Sequence, residues 1–192
     1  MHIEVKNMYY GNIKKFDISN GEGIRTSLFV SGCTNRCKNC FQPETWDFCY
    51  GKPFDLAVWE EIFDSMKIPS VRGLTVLGGE PMEIENQRAL LPFLKEFKKR
   101  FPSKDLWIFT GNLYEELTDE SLSHPKRIEV TDELLSLVDI LVDGRFEEEK
   151  KRLGLRFRGS ENQRIIDMNK TRQCGEIVIW EGVKLDKAYL KE

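Results

Sequence analysis

Residues 26–46 read TSLFVSGCTNRCKNCFQPETW, an apolar run followed by three cysteines within eight positions. The run at residues 26–30 is short and apolar, and it ends at Ser31-Gly32, which is typical of a buried strand. The cysteines are therefore predicted to lie on the loop that follows this strand.

The rest of the chain alternates short apolar runs with amphipathic segments. Further strands are predicted at residues 73–77, 106–109 and 140–142, which end at Gly-Gly-Glu-Pro, Thr-Gly and Asp-Gly. Helices are predicted at residues 55–66, 90–101 and 131–137, with Asp55 and Thr131 as the caps of the first and third. This alternation predicts an α/β fold with a mostly parallel sheet. Because ligands gather at the carboxyl ends of parallel strands, all these motifs should open onto one rim.

The chain has 192 residues, of which 40% are hydrophobic and 32% are charged, a composition that fits one domain over residues 1–192. Residues 175–192 are predicted as an appendage, with an extra strand at EIVIW followed by a short helix. The chain contains two histidines, so a His-rich metal site or a Ser/His/Asp relay is not expected.

The formal net charge of -3 offers no broad cationic field for a phosphate backbone, so nucleic acid is not an expected partner. No stretch approaches the roughly 20 apolar residues that span a bilayer, and the N-terminus lacks the apolar run of a secretory signal. We therefore expect a cytoplasmic protein without a membrane partner. In a reducing compartment, clustered cysteines indicate metal ligands or redox thiols, and the odd total of five agrees.

Cys33, Cys37 and Cys40 form the spacing C-x3-C-x2-C. Thiolates are soft ligands suited to iron-sulfur clusters, zinc or copper. Cys49 is nine residues further on and Cys174 is remote, so the simplest interpretation is three protein ligands with one metal position left open. A structural zinc site completed by Cys49 is the alternative.

This spacing resembles the signature of the radical S-adenosylmethionine (SAM) enzymes. Six sequence blocks, which follow the same order as in the family from about residue 20 to residue 166, together resemble the activating proteins of the anaerobic ribonucleoside-triphosphate reductase: NGEGIRTSLFVSGC, FQPETWDF, LTVLGGEP, DLWIFTG, ILVDGRF and FRGSENQRIID. The resemblance implies a partial, open α/β barrel. It also implies that the three cysteines bind a 4Fe-4S cluster whose fourth iron binds SAM.

The activity that the resemblance implies is that of a radical SAM oxidoreductase. Reductive cleavage of SAM gives methionine and a 5′-deoxyadenosyl radical, which abstracts hydrogen from a glycine of the anaerobic (class III) ribonucleotide reductase. The implied partners are that reductase, in a complex of two plus two chains, and a flavodoxin-like electron donor. Two alternatives stay open: an activase of another glycyl-radical enzyme, of the pyruvate formate-lyase type, and a zinc-binding interaction module.

The resemblance also implies where the cofactors bind. Cys33, Cys37 and Cys40 are the implied metal ligands, and no side chain is expected to act as a catalytic acid or base. Gly79 is the expected closest backbone contact of SAM. The other residues expected to contact the cofactors are Asn39, Cys40, Phe41, Gly78, Glu80, Thr110 and Asp143.

Three further segments bear on the site. Asn39 occupies the position before the last cysteine, where the superfamily often has an aromatic residue, and Phe41 follows that cysteine instead. The turn Asn20-Gly21-Glu22-Gly23 keeps the two glycines of the family's Asp-Gly-Pro-Gly. Residues 158–164 (RGSENQR) either dock the partner or line the site, and Trp46 is expected to pack within its loop.

Overall fold

The structure is a computed structural model, and it describes residues 8–182. Strands and helices alternate along this part of the chain. The strands are β1 (Tyr9–Asp17), β2 (Ile24–Val30), β3 (Lys52–Pro53), β4 (Val71–Gly78), β5 (Asp105–Phe109), β6 (Ile140–Asp143) and β7 (Arg164–Asp167). The α-helices are α1 (Leu56–Met66), α2 (Ile84–Arg100), α3 (Tyr114–Thr118), α4 (Thr131–Ser136) and α5 (Met168–Cys174).

The strands form one open sheet in the order β3-β1-β2-β4-β5-β6-β7. Its centre is parallel, because β2, β4, β5 and β6 pair in the same direction. Its edges are antiparallel, since β1 pairs with β2 and β3, and β7 pairs with β6. The predicted α/β class is confirmed, and each of the four predicted strands is present in the parallel centre. The antiparallel edges make the sheet mixed.

The main hydrophobic core lies between the sheet and helices α1 and α2. Trp59, Ile62 and Phe63 of α1 are buried there, and Phe93 and Phe97 of α2 join them. The expected helix cap at Asp55 is confirmed, because its carboxylate accepts a hydrogen bond of 3.0 Å from the Val58 amide. The amphipathic faces of the two helices therefore cover one side of the sheet.

The expected cap of α4 is wrong by one position. Thr131 is the first residue of α4, and Val130 holds the cap position without a side-chain hydrogen bond. The Thr131 hydroxyl accepts from the Ile128 amide and donates to Gln87 of α2 at 2.7 Å. Its polar group thus ties the start of α4 to α2.

The turn between β1 and β2 keeps the two glycines that the sequence pointed to. Gly21 and Gly23 have φ angles of 129° and 79°, in a region that L side chains rarely adopt. Asp17 precedes this turn and is buried, and it accepts hydrogen bonds from the Ser27 hydroxyl and from Asn20. The turn is therefore held to β2 by a buried carboxylate.

The segment after α5 runs along the edge strand β7. The predicted extra strand is present as a single antiparallel bridge between Ile166 and Ile179, with a hydrogen bond of 2.8 Å from the Trp180 amide to the Ile165 carbonyl. The short helix expected after it lies outside the described residues. Within residues 8–182, no helix is long and apolar enough to cross a membrane.

Candidate active site

A cavity opens at the carboxyl ends of the parallel strands, where the sequence predicted a shared rim. Gly78, Gly79 and Glu80 line it from the end of β4. Phe109, Thr110 and Gly111 line it from the end of β5, and Gly144 lines it just after β6. The cysteine loop after β2 completes the wall.

The three cysteines of the C-x3-C-x2-C spacing all line this cavity. Cys33 is buried, whereas Cys37 and Cys40 are partly exposed. Burial raises the pKa of the Cys33 thiol to about 11, and the nearby Glu80 carboxylate raises it further, although backbone hydrogen bonds oppose the change. Cys49 is exposed and does not line the cavity, and Cys174 is exposed on α5.

The loops after β2 and β4 are in close backbone contact. The Gly79 amide donates to the Val30 carbonyl at 2.7 Å, and the Glu80 amide donates to the Gly32 carbonyl at 2.8 Å. A Cβ at position 79 would lie 2.6 Å from the Gly32 carbonyl oxygen, so the loops can approach only because this residue is glycine. Gly79 therefore lines the cavity, but its N–H is already used within the protein.

Glu80 is fully buried and joins three segments, the cysteine loop, the β4–α2 connection and the end of β5, through four hydrogen bonds. Its Oε1 accepts from the Met82 amide at 2.9 Å and from the Thr110 hydroxyl at 2.8 Å. Its Oε2 accepts from the Asn35 side-chain amide and from the Gly111 amide, both at 2.8 Å. Burial raises the pKa of this carboxyl, and these hydrogen bonds together with the charge of Lys126 only partly oppose the increase. The carboxylate thus supports the walls of the cavity.

A second acidic residue, Glu83, binds the first turn of the cysteine loop, a role that the sequence did not indicate. Glu83 accepts from both the amide and the hydroxyl of Thr34 at 2.7 Å. Lys126, which is nearly buried, pairs with Glu83 at 2.9 Å and donates to the Asn35 side-chain oxygen at 2.8 Å. Asn86 of α2 donates to the Ser31 carbonyl at 2.9 Å. The path of the chain around Cys33 is therefore set by polar groups of the β4–α2 connection, of α2 and of the loop before α4.

Thr110 and Asp143 are placed near the rim, with their polar atoms in contact with other protein groups. The Thr110 hydroxyl donates to Glu80 and accepts from both amides of Asn112. Asp143 is buried, accepts from the Tyr114 amide at 2.8 Å and pairs with Arg164. Asp143 does not line the cavity. In the described structure, the side chains of Thr110 and Asp143 therefore each connect neighbouring segments of the rim.

Cys37 and Cys40 lie at the two ends of a tight turn, in which the Cys40 amide donates to the Cys37 carbonyl at 3.2 Å. Asn39 has a φ of 54° in this turn, a left-handed conformation that Asn tolerates better than bulky residues do. It is exposed and does not line the cavity. Phe41 does line it, is 69% exposed, and packs on Phe146 with ring centroids 5.4 Å apart.

The block RGSENQR contributes to the cavity wall. Gln163 lines the cavity, accepts from the Gly159 and Ser160 amides, and donates to the Gly144 carbonyl at 2.9 Å. Arg164 follows it and binds both Asp143 and Glu115. Of the two roles left open by the sequence, these contacts support lining of the site.

Trp46 also lines the cavity, at the end of the short 3-10 helix Pro43–Trp46. Its carbonyl accepts from the Cys33 amide at 3.4 Å, which places it beside the first cysteine. Its indole nitrogen is buried and has no hydrogen-bond partner in the protein. The aromatic residue of the PETW segment thus belongs to the site as well as to its loop.

The cysteine set has the donor chemistry of an iron-sulfur cluster, in which each thiolate binds a different iron. Three thiols around one cavity, with Cys49 outside it, therefore fit a cluster with one iron left without a protein ligand.

Comparisons with known proteins agree with this geometry. A family model described as "4Fe-4S single cluster domain" matches residues 19–166. Curated relatives carry the name anaerobic ribonucleoside-triphosphate reductase-activating protein. The relative from Pasteurella multocida is 41% identical over 160 residues, covering 82% of this chain and 96% of its own length. The relative from Haemophilus influenzae is 38% identical and covers 78% of this chain and 91% of its own length. The relative from Escherichia coli K12 is 32% identical and covers 81% of this chain and 96% of its own length.

Proposed function

The chain belongs to the family of anaerobic ribonucleoside-triphosphate reductase-activating proteins, and from this premise we propose that it generates a glycyl radical on an anaerobic ribonucleotide reductase. The observation that supports the proposal best is the convergence of Cys33, Cys37 and Cys40 on one cavity at the carboxyl end of the sheet. In the described structure this cavity is open at the rim, which suits a substrate as large as a protein.

The proposed cofactors are a 4Fe-4S cluster and SAM. When bound, they supply the redox chemistry: one electron from an external reductant breaks the carbon-sulfur bond to the ribose of SAM, which gives methionine and a 5′-deoxyadenosyl radical that takes one hydrogen atom from the target glycine. We accordingly assign the protein to the radical SAM oxidoreductases.

The residues of this chain bind and orient these groups. Cys33, Cys37 and Cys40 each bind one iron, which leaves the fourth iron to SAM. Glu80 holds the cysteine loop against the ends of β4 and β5 through its four hydrogen bonds. Because the reacting carbon and the glycine must come close together, a rigid rim is what the protein has to provide.

The neighbouring groups complete the proposed site. Gly78 and Gly79 let the β4 loop approach the cofactors without Cβ atoms, and Phe41 and Gln163 border the space that SAM fills. The open sheet is proposed to curve as a partial barrel around this space. Asn39, Thr110 and Asp143 act in this scheme by shaping the loops.

The partners follow from the same chemistry. The glycine-bearing chain of the reductase enters the rim, in an assembly of two chains of each kind, and a flavodoxin-like protein delivers the electron. Free thiols and a reducible cluster require a reducing compartment, so the cytoplasm is the proposed location.

The proposal is tested by assembling the cluster under anaerobic conditions in wild type and in four single variants. Cys33→Ala, Cys37→Ala and Cys40→Ala should each lose the cluster and the glycyl radical. Cys49→Ala is the matched control and should keep about four irons per chain, because its side chain lies outside the cavity. The measurements are iron content, SAM cleavage, and the electron-spin doublet of a glycyl radical on the reductase.

The outcomes separate the alternatives. A doublet on pyruvate formate-lyase but not on the reductase would keep the chemistry and overturn the proposed substrate. A colourless protein that retains stoichiometric zinc, and loses it in Cys49→Ala, would establish the zinc-binding module instead. Full radical yield in any of the three cysteine variants would contradict the ligand assignment.

A further inference from the structure

The connection between β6 and β7 begins at the rim of the cavity and forms a hairpin of residues 147–161, here called the β6–β7 hairpin. The Glu161 amide donates to the Lys150 carbonyl at 2.9 Å, and Lys151 forms an antiparallel bridge with Ser160. These contacts tie the two sides of the hairpin together at its base. The residues between Lys151 and Ser160 form its tip.

The tip exposes a large apolar side chain. Leu153 is 96% exposed, and a Cβ added at its neighbour Gly154 would meet no other part of the described protein within 4 Å. A single exposed leucine is common on protein surfaces, so this exposure alone does not indicate a binding site. The position of the tip and its charge are what distinguish Leu153.

The β6–β7 hairpin is continuous with the mouth of the cavity. The Lys151 ammonium group lies 4.9 Å from the ring centroid of Phe41, which lines the cavity and is 69% exposed. Phe41 packs in turn on Phe146, which also lines the cavity. Leu153 follows Lys151 by two residues, a separation of at most about 7 Å. An exposed ring at the mouth and an exposed leucine beside it therefore belong to one surface.

The tip is also cationic. Residues 150–158 read KKRLGLRFR, with five cationic side chains and no carboxylate, in a chain whose formal net charge is -3. Lys150 and Arg152 pair with glutamates at the base of the hairpin, at 2.6 and 3.5 Å. Lys151 and Arg156 lie over aromatic rings instead. A surface complementary to this tip therefore combines an apolar depression with carboxylates around it.

We propose that the tip of the β6–β7 hairpin docks the anaerobic reductase, with Leu153 inserted into an apolar depression that aspartates and glutamates of the reductase surround. The inference rests on the proposed function, because that function brings a glycine of the reductase into the cavity. A stable interface buries about 800 Å² on each partner, which as a circular patch has a radius of roughly 16 Å. A reductase centred on the mouth of the cavity therefore covers Phe41, Lys151 and the tip beyond them.

The test compares Leu153→Ser with Ile18→Ser in cluster-loaded protein. Each change replaces an exposed, branched apolar side chain by serine, and neither residue lines the cavity. Ile18 is 70% exposed in the turn before β2, and the carboxyl end of β2 leads to the rim, so Ile18 lies at the opposite end of the sheet. The measurements are the Kd for the reductase, by fluorescence anisotropy with SAM present, and SAM cleavage by a chemical reductant without the reductase.

We expect the Kd of Leu153→Ser to rise at least about tenfold, because the burial of a leucine side chain on binding is lost. Ile18→Ser should bind with the wild-type Kd. All three proteins should cleave SAM at the same rate without the reductase, which would show that the fold and the cluster are intact. The wild-type association rate should fall as salt is added, because carboxylates of the reductase attract the tip at low ionic strength.

An unchanged Kd in Leu153→Ser would overturn the proposal, and so would an association rate that does not depend on salt. Loss of self-association in Leu153→Ser, with normal affinity for the reductase, would assign the tip to a second copy of this chain instead. If Leu153→Ser fails to bind iron, photoreactive benzoylphenylalanine at position 153 decides. It should crosslink to the reductase, whereas the same group at position 18 should not, and absence of the crosslink from position 153 refutes the contact.

The failure of this inference can be told apart from that of the proposed function. A wild-type protein that binds a cluster but forms no glycyl radical on the reductase contradicts the proposed function, whatever the Kd values are. Normal radical formation with the same Kd in wild type and Leu153→Ser contradicts only the inference.

Discussion

Replacing Glu80 by glutamine should separate its hydrogen-bonding role from its shape. The glutamine amide has one oxygen and one NH2 group, and in either orientation the NH2 faces two donors. It faces either the pair Asn35 and Gly111 or the pair Met82 and Thr110. Two of the four hydrogen bonds are therefore lost, and the donors left without an acceptor are either the buried Met82 and Thr110 or the partly buried Asn35 and Gly111.

The magnitude follows from these contacts. Hydrogen bonds to a charged group contribute about 1.5–3 kcal/mol each, so losing two costs about 3–6 kcal/mol. Part of this cost is recovered, because burial raises the pKa of Glu80 and the neutral amide no longer needs charge desolvation. We expect the free energy of unfolding to fall by about 2–4 kcal/mol overall. The retained iron should fall too, since Asn35 belongs to the cysteine loop.

The assay is urea unfolding of the iron-free protein under reducing conditions, followed by iron analysis after cluster assembly. Glu85→Gln is the matched control: Glu85 lies in the first turn of α2 and is exposed, so its loss should change stability by no more than about 0.5 kcal/mol. If Glu80→Gln unfolds at the wild-type urea concentration and binds iron normally, the carboxylate does not hold the rim together.

Two further changes test other parts of the fold. Gly79→Ala puts a Cβ 2.6 Å from the Gly32 carbonyl oxygen, a backbone atom that cannot move aside. The melting temperature should therefore drop by the equivalent of about 1–3 kcal/mol. An unchanged melting temperature would show that the loops can separate at no cost. At Asp17, burial favours the neutral acid, but hydrogen bonds led by that from the Ser27 hydroxyl outweigh it and lower the pKa from 3.8 to about 2. A lowered pKa stabilises the folded state by about 2 kcal/mol above pH 3.8, and this contribution is lost as the pH falls toward 2. The difference in urea stability between wild type and Asp17→Asn should therefore shrink from pH 7 to pH 3, and a constant difference would refute the assignment.

The strands that the sequence predicted are those with apolar residues on both faces. β2, β4, β5 and β6 are almost wholly buried, so each reads as a short continuous apolar run. β1 contains exposed and half-exposed residues along most of its length, and β7 has only two fully buried residues. Neither carries a pattern that distinguishes an edge region of the sheet from a loop. The antiparallel edges therefore become visible only in the structure.

The residues of the candidate site also divide into those that the sequence indicates and those that only the structure reveals. The cysteines are close in sequence, and the Gly-Gly-Glu turn directly follows a readable strand, so local spacing was enough to find both. The contact of Lys126 with Asn35 joins residues 91 positions apart, and Lys126 lies in a loop without any periodic pattern. Glu83 and Asn86 look like ordinary polar residues at the start of a helix. Their role depends on the three-dimensional path of the cysteine loop, which no local spacing encodes.

The rim itself is completed by a part of the chain that the strand pattern did not reveal. β7 pairs with β6, and this pairing brings Gln163 to the Gly144 carbonyl and Arg164 to Asp143. The residues that follow β6 are thereby fixed beside the cysteine loop. The antiparallel edge strand β7 thus fixes the β6 end of the rim, and Glu80 fixes the β4 and β5 ends. Since each end is fixed by contacts within the protein, the shape of the cavity does not depend on a bound molecule.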